Sequence, residues 1–212
     1  FADNDALLAL GGLLWHACGW AWAAGTLAFL AIEPTIGAHL PVVMTDLPLA
    51  LTLMIAAVCA GLLATRWQWR WALACGLAVG LALASKHSAL AGLGGIGVML
   101  LAASHGGWRK GGWSEVARRQ LKLLACAALA LLVLWAFYGF RFHSGVDGTD
   151  DFNRPMAEKI AELKLAHWRN GIELADRMHL LPRAWLWGLA DTVRTGVEGR
   201  GIASHFLWGV NH

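Results

Sequence analysis

Three ionisable side chains stand where a long apolar chain has few: Asp46, His39 and Lys86. Asp46 opens the apolar run Leu47 to Thr65. His39 lies seven residues earlier, about two helical turns away on the same face if a helix begins near Pro41. A carboxylate with an imidazole at that spacing suits a metal ion or a hydroxyl. Lys86, with His87 beside it, separates two short apolar runs. A cation at a membrane rim suits the phosphate of a lipid, because the fixed charge offsets the anion at low dielectric. Charges in such places are costly and are usually kept for function. The plain alternative is an interfacial charge that snorkels to water. Glu33, which ends a helix because Pro34 follows it, is a further candidate, as are His205 and His212 on the acceptor side.

The elements that must position these groups are apolar helices. The chain of 212 residues is 58% hydrophobic and 15% charged, against about 25% charged in a typical soluble domain. The deficit falls on residues 1–140, and residues 141–212 read like an ordinary soluble protein. A bilayer core of about 30 Å takes roughly 20 apolar residues per helix. The apolar runs predict five to six spans: Ala6–Trp15 as a partial first one, then Trp20–Ile32, Leu47–Thr65, Ala72–Ala84, Ser88–Ala103 and Leu121–Phe140. A turn at Cys18-Gly19 divides the first two. Gly76 and Gly80 form a G-x-x-x-G, and Gly92, Gly94, Gly95 and Gly97 crowd the next run, which predicts a close helix pair around Lys86.

Arg66 and Arg70 occupy one connection, and Arg109, Lys110, Arg118, Arg119 and Lys122 another, with Glu115 opposing them. Short basic connections lie on the cytoplasmic side. Alternation then places the Pro34–Asp46 turn, the Lys86 turn and everything after Arg141 outside. Trp67, Trp69, Trp71, Trp108 and Trp113 flank the inner connections and are expected as interfacial anchors. In the outer segment, Arg141 to Asp151 reads as a loop. Asp151 or Asn153 is expected to cap a helix from about Pro155 to Leu180 that is amphipathic through Ile160, Leu163, Ala166, Trp168 and Ile172. A second helix is expected over Ala184–Arg194, then a hinge at Gly196–Gly201. Nine acidic and nine basic residues balance this segment, and no basic run alternates with aromatics, so nucleic acid is excluded as a partner. Cys18, Cys59, Cys75 and Cys126 lack C-x-x-C spacing and read as small buried hydrophobes.

Two strings and an ending carry a family resemblance. Glu33 to Leu49 reads E-P-T-I-G-A-H-L-P-V-V-M-T-D-L-P-L, and Gly76 to Leu90 reads G-L-A-V-G-L-A-L-A-S-K-H-S-A-L. The first resembles the P-x-x-x-A-H…T-D segment, and the second the G-L-A-x-G-L-A…K segment, of bacterial glycosyltransferase family 39. These proteins are relatives of the protein O-mannosyltransferases and aminoarabinose transferases with the GT-C membrane fold. Gly199 to Gly209, G-R-G-I-A-S-H-F-L-W-G, is similar to the passage from the outer loop toward a further span. Phe137-Tyr138-Gly139-Phe140 at the end of a span also fits.

The resemblance implies an all-α, polytopic membrane bundle over residues 1–140, with an outer, mostly helical segment over 141–212. It implies transfer of a sugar from a polyprenyl-phosphate donor to a glycan, protein or lipid acceptor. The site would lie at the periplasmic face of the bacterial inner membrane. Asp46 and His39 match an acceptor or metal site, and Lys86 the donor phosphate site; Glu33, His87 and His205 are secondary. A divalent metal is compatible with that site but is not indicated by the residues. The family's catalytic base, a carboxylate in the first outer loop, is expected before Phe1 in a longer protein, and neither Asp3 nor Asp5 is assigned to that role. A lipid or sugar transporter, which should show inverted repeats, and a non-catalytic membrane subunit are the alternatives.

Overall fold

The computed structural model describes residues 2–34, 36, 45–200, 206–207 and 210–211. The chain divides into two compact units, Phe1–Leu134 and Trp135–His212. The regular elements among the described residues are helices, apart from a hairpin of two-residue strands, β1 (Phe206–Leu207) and β2 (Val210–Asn211), paired antiparallel.

The first unit contains α1 (Ala2–Cys18), α2 (Trp20–Ile32), α3 (Asp46–Arg66), α4 (Trp69–Ser85), α5 (Ala89–His105) and most of α6 (Trp108–Phe137). Each expected apolar run is a helix, and the connections explain where each stops. Gly19 separates α1 from α2 at φ +96°, a conformation open chiefly to glycine. Pro48 lies in the first turn of α3, where a missing N–H costs nothing. Trp67 ends α3 in the left-handed region, with its N–H on Leu63 O at 2.8 Å, so the chain reverses into α4 through Trp67-Gln68 alone. A kink at Gly111-Gly112, with Gly112 at φ +62°, breaks α6 near its start.

The glycine stripe has a different partner from the expected one. A Cβ at Gly76 would stand 2.7 Å from Cys126 O, and one at Gly80 would stand 2.6 Å from Val133 Cβ and 2.8 Å from Ala130 O. The G-x-x-x-G therefore packs α4 onto α6, not onto α5. Of the crowded α5 glycines, Gly92 alone meets a neighbour, Leu53 of α3, while Gly94, Gly95 and Gly97 face open space. Gly76 and Gly80 mark a close approach as expected, but the close pair expected around Lys86 is not formed by these glycines, because which helix approaches is a three-dimensional fact that spacing does not contain.

The main core cluster joins Cys59, Leu63, Trp67, Trp71, Cys75, Leu100 and Cys126. Trp67 and Trp71 are thus buried, whereas Trp69, Trp108 and Trp113 are exposed as anchors should be. The left-handed turn at Trp67 lies at the edge of that core, and both indoles pack within it. Two helices, Asp46–Arg66 and Gly111–Phe137, are long and apolar enough to cross a membrane, and Trp20–Ile32, Trp69–Ser85 and Ala89–His105 are shorter apolar helices.

The second unit holds α7 (Met156–Ala161), α8 (Ala166–Arg177) and α9 (Arg183–Thr192), the last continued by a π-helical turn, Val193–Val197. The single helix expected from Pro155 to Leu180 is two helices, interrupted at residues 162–165. At the break, Glu198 Oε1 accepts the Lys164 and Leu165 N–H groups at 2.7 and 2.9 Å, holding the linker between α7 and α8 from 34 and 33 residues away. Neither Asp151 nor Asn153 caps α7, which starts after Pro155 with no side-chain cap. Leu163, Ile172, Trp185, Leu186 and Leu189 form the buried apolar side of this unit.

Candidate functional site

The sequence marked Asp46 and Lys86 separately, and the structure brings them together. Asp46 is the first residue of α3, where a carboxylate is stabilised by the helix N-terminus. Lys86 follows the last residue of α4 in an extended conformation, φ −165° and ψ 142°. Its Nζ donates to Asp46 Oδ1 at 2.5 Å. The start of α3 and the α4–α5 turn therefore share one end of the first unit. The side chains are 43% and 59% exposed, so the pair is reachable. An exposed pair of this kind contributes about 0–1 kcal/mol. It is weak enough to exchange partners.

Glu33 lies at the end of α2, where its Oε2 accepts the Ile36 N–H at 2.7 Å. That bond gives it a local structural role at the turn. His87, half-buried, adjoins Lys86 and accepts the Leu90 N–H through its carbonyl at 3.1 Å. His39, His205 and His212 lie outside the described residues. Among the described residues no group of three or more His, Cys, Asp or Glu side chains is gathered to hold a metal ion.

No family model, no curated protein and no solved structure matches this chain.

Several polar constellations escaped the sequence. In the second unit Arg183 ties three segments: Nη1 donates to Asp150 Oδ2 at 2.7 Å, Nε donates to Asp176 Oδ1 at 2.8 Å, and its N–H donates to Phe142 O at 2.9 Å. Asp150 also accepts the Ser144 N–H at 2.9 Å and lies 3.2 Å from His143 Nδ1. Partial burial opposes ionisation of Asp150. The bonds from Arg183, Ser144 and His143 and the Arg183 charge outweigh it and hold the carboxyl at about 2. A polar cavity of about 390 Å³ borders Asp150, Asp176, Arg183 and Phe152. Nearby in sequence, Lys159 is 4% exposed and donates to Asp191 Oδ1 at 2.5 Å, with Nζ 4.2 Å from the centroid of the Trp187 ring. The bond from Lys159 holds the Asp191 carboxyl below its ordinary value. No local spacing signals the Lys159–Asp191 and Arg183–Asp150 pairs, which lie 32 and 33 residues apart; His143–Asp150 and Arg183–Asp176 are each 7 apart. The equal count of acids and bases was the one available hint that they would pair.

The other end of the first unit is cationic and aromatic. Arg66 Nη1 donates to His16 Nε2 at 2.7 Å, which requires that ring nitrogen to be unprotonated. Lys122 Nζ donates to Trp67 O at 2.7 Å. Arg119 is buried and held by Glu115 Oε1 at 2.8 Å and Ala103 O at 3.2 Å.

Proposed function

We propose that the chain is part of a polytopic membrane glycosyltransferase that takes a sugar from a polyprenyl-phosphate donor at the end of the bundle where Asp46 meets Lys86. The observation that carries the reading is this exposed pair, formed between two segments that independently resemble the same family. A charge-assisted bond to an ionised group contributes about 1.5–3 kcal/mol, more than the exposed pair does. A donor phosphate arriving at the rim therefore takes Lys86 from Asp46. The exchange leaves the Asp46 carboxylate free to accept a hydrogen bond from the acceptor hydroxyl. Asp46 thus positions acceptor, and Lys86 neutralises the phosphate. The base is not assigned to a residue of this chain.

The membrane setting is supported by what faces outward. In the α6 window only 17% of the residues are buried, at a mean hydropathy of 2.0. Trp20, Trp22, Phe29, Ile32, Val98 and Leu124 are each at least 64% exposed. An apolar surface of this extent on several helices suits lipid better than water. With 17 residues each, α4 and α5 rise about 26 Å, near the thickness of a bilayer core. Arg66, Arg70, Arg118, Arg119 and Lys122 at the opposite end orient that end toward the cytoplasm by the positive-inside rule. The Asp46–Lys86 end then faces the periplasm.

The test is transfer from a radiolabelled polyprenyl-phosphate sugar by the full-length protein. Lys86→Ala is expected to raise the donor KM about tenfold, the equivalent of one lost charge-assisted bond. Asp46→Asn is expected to lower kcat with little change in donor KM. If both variants turn over like wild type, the site is wrongly placed; if no such donor is consumed, the reaction class is wrong.

A further inference from the structure

The end of the bundle away from Asp46 and Lys86 holds cations that have no counter-ion of their own. In the second unit Arg154, Lys159, Arg177, Arg183, Arg194 and Arg200 each meet a carboxylate. At the cationic end Glu115 serves Arg118 and Arg119. Among the described residues, Arg66, Arg70 and Lys122 have no carboxylate within ion-pair distance. Their partners are neutral: His16 Nε2, Gln68 Oε1 at 2.8 Å and Trp67 O. Three cations are thus left beside neutral acceptors at one end of the first unit.

The cations are also held in place. Arg66 and Arg70 lie over one ring, that of Trp71, with guanidinium carbons 6.0 and 5.0 Å from its centroid. Lys122 Nζ lies 5.8 Å from the Trp69 ring, and Arg119 lies over Trp67 at 4.8 Å. Stacking on an indole costs a guanidinium little of its capacity to donate in plane, because its N–H groups point outward from the fork. Trp71, under Arg66 and Arg70, and Trp67, under Arg119, each carry a buried Nε1–H donor with no acceptor. Exposed Arg66 and Arg70 thus present donors above an indole whose own N–H is unsatisfied. Planar guanidinium pairs of this kind match the oxygens of a phosphate.

We propose that Arg66 and Arg70, stacked on Trp71 beside Lys122, bind the phosphate of an anionic phospholipid at the face opposite the transfer site. The proposal rests on the membrane reading of the first unit but not on glycosyl transfer. A phosphodiester at the headgroup level supplies the missing charge, and the exposed anchors Trp69, Trp108 and Trp113 set that level. The bound lipid belongs to the bundle's inner end and takes no part in chemistry.

The experiment is native mass spectrometry of the full chain with phosphatidylglycerol, phosphatidylcholine or inorganic phosphate added. Retention in carbonate-washed membranes is checked first; release from them overturns the membrane reading and this site together. Wild type is expected to retain phosphatidylglycerol about tenfold over phosphatidylcholine. Arg66→Gln with Arg70→Gln is expected to abolish that preference. Arg118→Gln, which removes a Glu115-paired charge from the same end, is expected to keep it. Equal loss in Arg118→Gln shows only a diffuse basic surface and overturns the site. Displacement of the lipid by millimolar inorganic phosphate overturns the lipid assignment. An unchanged melting temperature for the double variant shows that loss of lipid is not loss of fold.

Discussion

Replacing Gly80 by Ala tests the central packing contact of the first unit. The added Cβ would stand 2.6 Å from Val133 Cβ and 2.8 Å from Ala130 O, where carbon atoms prefer about 3.5–4.0 Å. Val133 cannot simply rotate away, because the clash is with its Cβ, and Ala130 O is backbone. The helices α4 and α6 must therefore separate by about 1 Å. Overpacking of this kind costs about 1–3 kcal/mol. Exchange of helical Gly for Ala returns about 1 kcal/mol through helix propensity. The expected net is a loss of up to about 2 kcal/mol, read as a lower melting temperature in detergent. The internal reference is Gly94→Ala on α5, whose Cβ would meet nothing within 4 Å and which is expected to stabilise by a few tenths to about 1 kcal/mol. Val133→Ala combined with Gly80→Ala removes only the 2.9 Å contact with Val133 Cγ1, leaves those with the Cβ at 133 and with Ala130 O, and is expected to rescue little. If Gly80→Ala is as stable as Gly94→Ala, α4 and α6 do not meet through this glycine.

The depressed Asp150 carboxyl contributes stability that is fully present above its unfolded value near 4 and is lost as pH falls through about 2; acid unfolding in that window should shrink by about 1–2 kcal/mol in Asp150→Asn. Asp191→Ala leaves the buried Lys159 ammonium unpaired and should destabilise by about 3–5 kcal/mol, whereas Lys159→Met with Asp191→Ala should recover most of that in a double-mutant cycle. Cys18 is exposed beside the α1–α2 turn, while Cys59, Cys75 and Cys126 are buried. A membrane-impermeant maleimide should therefore leave intact cells unlabelled and label Cys18 in inverted vesicles, and labelling of intact cells would reverse the assigned orientation.

The helices were legible because each is a run of apolar residues bounded by charges, glycine or proline. Even the reversal at Cys18-Gly19 could be read from one residue type. The break at residues 162–165 was not legible, because the side chain that holds the Lys164 and Leu165 N–H groups there is that of Glu198, far along the chain. The same is true of the α4–α6 contact: Gly76 and Gly80 announce a near neighbour without naming it. At the candidate site, Asp46 and Lys86 were legible as costly charges, but not as partners, since 40 residues separate them. Their pairing changes the reading of Lys86 from a waiting cation to one that must first be released. Trp67 and Trp71 looked like their neighbours in a Trp-rich stretch, and only the turn between α3 and α4 separates the buried indoles from the exposed one.

That turn, two residues long, makes α3 and α4 a matched gauge. From it α3 runs 21 residues, about 32 Å, to Asp46, and α4 runs 17 residues, about 26 Å, to Ser85. The shortfall of about 6 Å is spanned by the extended backbone of Lys86 and its four-carbon stem. Lengthening α4 by one residue moves its end by about 1.5 Å and turns it by about 100°. Lys86 would then face a different neighbour while every apolar residue count stayed nearly the same. The height at which the two charges meet is therefore metered by helix length from the far side of the bundle, and an insertion there would retune the rim without touching it.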